Sequence, residues 1–158
     1  MMREKPVLGG RLVVELREPG GPVVARREAD NLITNAGRTY LAGLLGGHRQ
    51  VQSLAMVVGT ANADPKPEDT QLGAQVATAS AALAEPGQVQ DQAGKTQIVA
   101  KVTATLPPLS TGDTQPIQEA GIQIIAPDNS AVLYNHVTFP VITRTGNLEM
   151  SLTWEVIF

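Results

Sequence analysis

The side chains through which this 158-residue chain could do chemistry are two histidines and a scatter of carboxylates. Glu119 is the only acid set inside an apolar run, in "PIQEAGIQII", and so is the best single candidate for acid–base work. Glycoside hydrolysis, for example, needs a pair of such carboxylates. The same pattern also describes an inward acid that hydrogen-bonds backbone at a bulge, since a glycine within a strand, here Gly121, often marks one. His48 follows two glycines, and His136 sits in a strand beside Tyr134 and Asn135. A metal site built on them needs a carboxylate and spatial convergence; the local pattern instead reads as an exposed His48 and an outward-facing His136. Asp64, Glu68, Asp69 and Asp91 could offer oxygens to calcium, but their spacing fits no calcium-loop pattern and Pro65 and Pro67 interrupt it.

Other constellations are weaker. "VVGTANADPK" has a glycine after a strand, Gly59, but lacks the second glycine and the Gly-Lys-Ser/Thr of a phosphate loop. There is no Gly-x-Ser-x-Gly elbow. No cysteine is present, which removes disulfides and thiolate metal sites. The expectation is a protein without catalytic, cofactor-binding or metal-binding residues, and not an enzyme.

Composition narrows the partners. Net charge is −3 and the pI is about 5.3, which gives no electrostatic footprint for nucleic acid. The one basic cluster, Arg26 and Arg27 with Arg17 opposite, is interleaved with Glu15, Glu18, Glu28 and Asp30 and reads as a solvated face. Aromatic residues make up only 3% of the chain, too few for the stacking platforms that bind single-stranded nucleic acid. No apolar run approaches the roughly 20 residues that span a bilayer. The N-terminus lacks the apolar stretch of a signal peptide.

The elements that must position these residues are mostly strands. "GRLVVEL" alternates with Leu12, Val14 and Leu16 on one face, "EPGGP" is a turn, and "VVARRE" returns as a partner strand. In "NLITNAGRTYLAGLLGG", Asn35 is the expected N-cap. Ala36, Tyr40, Leu41, Leu44 and Leu45 form one apolar face, and Gly46 and Gly47 supply a left-handed exit. Gly37 and Gly43 make that helix poor by propensity, so it must be held by packing, as a plug over an end or face of a sheet.

"VQSLAMVVG" is a buried strand and 60–75 a loop. Residues 76–84 fit either a strand or a helix, with an irregular strand preferred, and 85–95 is a second loop. "QIVAKVTATL" places Ile98, Ala100, Val102, Ala104 and Leu106 inward. Strands over "PIQEAGIQII" and "AVLYNHVTFP" follow, joined by a "PDNS" turn. The end strand alternates from Leu148 through Met150, Leu152, Trp154 and Val156 to Phe158, with Trp154 a core residue. It runs to the final residue, from which no C-terminal linker is expected. Seven or eight strands and one short helix predict a mainly β chain, an antiparallel β-sandwich of jelly-roll type. A single domain covers 1–158, with 1–9 as a flexible arm.

The order of motifs resembles the small virion structural proteins of tailed bacteriophages, of the tail, baseplate and collar-fibre kind. The residues that carry the resemblance are Asn31, Leu32, Asn35 and Gly37 before and in the helix, then Gly59 and Thr60. They continue with Asp69, Thr70 and Leu72, then Glu119, Gly121 and Ile122, and end with Thr153 and Trp154. The match spans the chain from about residue 10. It departs after Leu72, where "GAQVATASA" stands in place of acidic and arginine residues, and before the end strand, where "RTGN" replaces a lysine-led turn. The resemblance implies a non-enzymatic component assembled in the host cytoplasm into a virion. Its partners would be other virion proteins and copies of itself, in trimeric or hexameric symmetry, with no nucleic acid and no membrane. A capsid decoration protein, or a carbohydrate- or receptor-binding module, is the alternative.

Overall fold

A computed structural model describes residues 9–90 and 92–157. Met1–Leu8, which make up nearly all of the expected N-terminal arm, lie outside the described residues, as do the candidate calcium ligand Asp91 and Phe158, which the alternation of the end strand expects to face inward.

Eleven strands and one helix are described, in the order β1 (Gly9–Arg17), β2 (Val23–Asp30), β3 (Leu32–Ile33), α1 (Asn35–Leu45), β4 (Ser53–Gly59), β5 (Gln75–Leu83), β6 (Gly87–Gln90), β7 (Thr96–Leu106), β8 (Thr114–Ile125), β9 (Ala131–Leu133), β10 (Asn135–Thr145) and β11 (Glu149–Ile157). All pairings are antiparallel. The strand order β2-β1-β11-β7-β5-β4-β8-β10-β3, with β6 on β7 and β9 on β8, makes one continuous sheet. That sheet curls until it is nearly closed into a barrel, where two separate layers of a sandwich were expected.

Closure fails at one seam for a chemical reason. The free edges of β2 and β10 approach each other without a ladder register. β10 carries a register shift between Thr138 and Ile142, and Pro140 within it has no N–H to donate. The Arg27 side chain spans the gap instead. Its Nε donates to Pro140 O at 3.1 Å and a terminal nitrogen to Val141 O at 2.8 Å.

Period-two alternation fills the interior. Leu12, Val14 and Leu16 of β1 pair with Trp154, Leu152 and Met150 of β11, which pair in turn with Val102, Ala104 and Leu106 of β7. All nine are buried, and Trp154 is fully so, at the centre of this row. The opposite face of β1 and β2 carries the mixed charges, with Arg26 bridging Glu15 and Glu28, and Arg11 also on Glu28.

Several local expectations are corrected. Thr34, not Asn35, caps α1: its Oγ1 accepts from Gly37 N at 2.9 Å and donates to Leu133 O at 2.6 Å. Asn35 is already helical. Gly46 is right-handed and only Gly47, at φ +73°, is left-handed. Residues 85–95 contain β6, which pairs with β7. The "AVLYNHVTFP" segment is two strands broken at Tyr134. Ile98 keeps the inward side of β7 but is 37% exposed, because it lies two residues beyond Ala100 toward the end of the barrel. Residues 76–84 are strand through Leu83.

Candidate functional site

Ala120, Ile122 and Ile124 of β8 belong to the barrel core. By strand alternation Glu119 and Gly121 therefore face the other side of the sheet. They are nevertheless covered, because loop 60–74 folds across that outer face. Beneath it Leu72 packs with Val57 and Leu133 as a small apolar cluster separate from the main core.

Glu119 is 1% exposed and is the hub of this cover. Its Oε2 accepts from Ala61 N at 3.1 Å and Ala74 N at 2.8 Å. Its Oε1 accepts from Gly73 N at 2.8 Å and lies 2.9 Å from His136 Nε2. The other ring nitrogen, Nδ1, is 2.8 Å from Asp69 Oδ2, and the same Asp69 oxygen accepts from Lys66 N at 2.8 Å. A neutral imidazole carries one N–H and satisfies one of these two contacts; an imidazolium satisfies both. The expectation that Glu119 hydrogen-bonds backbone holds, with a difference in place: it binds the loop rather than a bulge at Gly121. The register shifts fall beside it, between Val58 and Gly59 and after Thr138.

His136 is thus buried rather than outward. The break at Tyr134 explains the error: from Leu133 to Val137 every residue is buried, so no single parity runs through the segment. One signal was present in the sequence. An acid inside an apolar run needs a partner, and His136 is one of only two histidines in the chain.

Glycines make the approach possible. A Cβ on Gly59 would lie 2.5 Å from Ala74 O and collide with the Glu119 carboxylate. On Gly121 it would lie 2.6 Å from Asn135 O, and on Gly37 2.5 Å from Tyr134 O. The start of α1 is tied to the same loop, Asn35 N donating to Pro67 O at 2.7 Å. So Asn35, Gly37, Gly59, Asp69, Leu72, Glu119 and Gly121, far apart in sequence, meet at one joint. Thr70 is exposed on the loop itself. Asn31 and Trp154 lie elsewhere: the Asn31 side chain fills the space over Gly10, and Trp154 is in the barrel core.

Electrostatics agree with a holding role. Burial alone would raise the Asp69 carboxyl, but the Lys66 amide and the His136 ring outweigh it, and its pKa falls below the ordinary value. With both ring nitrogens of His136 engaged by carboxylates, the ring has none left to activate a nucleophile. Among the described residues no three His, Asp or Glu side chains are arranged to hold a metal ion; Asp64 and Glu68 are exposed. His48 is exposed on an open groove of about 710 Å³ between α1 and the β8–β9 turn. No family model, curated protein or solved structure matches this chain.

A second feature was missed by sequence reading. Between α1 and the adjoining end of the barrel lies an apolar hollow of about 310 Å³, floored by Val102, Ile122, Ile124 and Val156. Tyr134 also lines it; burial pushes its hydroxyl pKa up to about 12, with Arg38 pulling the other way. Nothing in the alternation of separate strands signals a void between them.

Proposed function

We propose that this chain is a non-enzymatic structural component of a tailed-phage or related contractile particle. It assembles with copies of itself and with other virion proteins, and the tail or baseplate is its favoured place. The observation that carries the reading is the joint around Glu119. Seven of the fourteen residues on which the resemblance rests, Asn35, Gly37, Gly59, Asp69, Leu72, Glu119 and Gly121, meet there, and each helps to hold the loop or admits a close backbone approach. That is what a shared scaffold requires and a reaction centre does not. The curled sheet is read further as a flattened barrel, β2-β1-β11-β7 facing β5-β4-β8-β10 in the manner of a sandwich.

Immunogold electron microscopy on particles from the source lysate, with antibody to this chain, tests the proposal. Gold at the tail or its tip is the expected result. Gold spread over heads would move the chain to capsid decoration. Expressed protein with no particle label would overturn the virion reading. A binding module is the second reading, favoured by the apolar hollow. Carbohydrate is its least suited ligand, because Tyr40, Tyr134, Phe139 and Trp154 are all buried and offer no stacking face.

A further inference from the structure

Among the described residues, one apolar patch is covered by the chain's own loop and another is open. At the barrel end beside α1, Leu41 and Leu44 of the helix wall the hollow, and its rim is Val51, Leu83 and Pro86. Leu83 pairs with Val102 on the inward side of the sheet yet is 55% exposed, and Val51 is 43% exposed. Ile98 continues the inward row of Ala100 and Val102 toward the same end. Core residues such as Ile122 and Val156 thus line a space that, among the described residues, no side chain fills.

Water does not fill it well either. Every wall atom that faces the hollow is apolar, and a water there would find none of the two to four partners it needs. At about 310 Å³ the hollow is about twice the ~150 Å³ cavity known to hold one benzene-sized guest. It therefore has room for one or two leucine-sized side chains.

The same face carries a group of that kind. Leu45 is 93% exposed, although it stands one turn beyond Leu41 on the apolar side of α1. Leu41 and Leu44 wall the hollow, and Leu45, next along the helix, projects into solvent. An isolated exposed leucine is unremarkable in a monomer, but a ring of half-exposed apolar residues around a hollow marks a contact surface. Tight interfaces are anchored by apolar side chains seated in pockets.

We infer that this end of the barrel is a homotypic contact surface, in which Leu45 of one copy seats in the hollow of the next. The knob and the hole belong to one chain, so a second copy is complementary without any further partner. The contact rests on Leu45 and the hollow alone and does not depend on the particle reading.

The test is sedimentation velocity and native mass spectrometry of the full chain over a concentration series, for wild type, Leu45→Glu and Leu83→Lys. Both substitutions are at exposed positions, and thermal unfolding at high dilution checks that the monomer is intact. The expected result is a concentration-dependent oligomer that each substitution weakens at least about tenfold. Wild type that stays monomeric at several hundred micromolar, or variants that associate as wild type does, would overturn the inference. So would a wild-type monomer carrying an apolar adduct released on denaturation, which would assign the hollow to a small ligand. Gold-labelled particles with a monomeric chain would sink this contact and keep the particle reading; a Leu45-dependent oligomer absent from particles would do the reverse.

Discussion

Two apolar patches, one outside the main core and one opening from it, are treated in opposite ways. On the outer face of β4, β8 and β9, Val57 and Leu133 lie under Leu72 of loop 60–74, and the loop is fastened by Glu119, His136 and Asp69. At the barrel end, α1 covers the sheet only in part and a hollow remains. The first patch is closed by charge-assisted hydrogen bonds to backbone amides, which are strong when buried. The second has no polar fastening on its walls. Cover in this fold therefore follows the polar groups: where a buried carboxylate supplies acceptors, a loop is held, and where the walls offer only apolar atoms, a hollow is left beside the helix.

The comparison can be broken from its most rigid point outward. Trp154→Ala removes a fully buried ring and should destabilise by about 3–5 kcal/mol. A thermal shift near zero would reverse the faces assigned to β11. Glu119→Ala should cost a similar ~3–5 kcal/mol, because it leaves His136 and three loop amides without their acceptor. Chemical denaturation of this variant at wild-type stability would mean that loop 60–74 is held by something else.

Asp69→Asn should cost about 1–2 kcal/mol, read in the same denaturation series, since Asn retains an acceptor for the Lys66 amide but loses the charge facing His136. Because the folded carboxyl titrates below its unfolded value, its contribution is present above about pH 4 and is lost as pH falls through the lower folded value. Wild type should therefore lose more stability than Asp69→Asn on acidification. Tyr134 has the opposite sign. With its pKa raised to about 12, stability is full below about pH 10 and declines as pH climbs toward that raised value. Tyr134→Phe should flatten this alkaline decline; an unchanged profile would mean that another group causes it. At the open patch, Leu45→Ser should change the stability of the dilute chain by less than about 0.5 kcal/mol. A larger loss in that measurement would show that Leu45 is packed.

The contrast also explains what the sequence could and could not reveal. Leu12 to Leu16 and Met150 to Val156 alternate so regularly that strand, face and core membership are all legible, and Trp154 falls where alternation puts it. The helix was legible too, but its cap was not: Thr34 and Asn35 are both good N-caps, and only the tertiary acceptor at Leu133 O decides for Thr34. Leu45 fits the helical apolar face, yet periodicity carries no information on where the sheet beneath the helix ends. Glu119 was legible as a buried acid that binds backbone. Its partners came from residues 61, 73, 74 and 136, and separations that long leave no local trace. Closure of the sheet was equally hidden, because it depends on β2 meeting β10 across Arg27 and Pro140.

Amide hydrogen exchange at Ala61, Gly73 and Ala74 tests the central claim most directly, namely that the buried Glu119–His136 pair exists to hold loop 60–74. These amides should exchange far more slowly than those of an exposed loop in wild type. In Glu119→Gln they should lose that protection while the amides of β11 keep theirs. Fast exchange at all three positions in the wild-type protein would contradict the account.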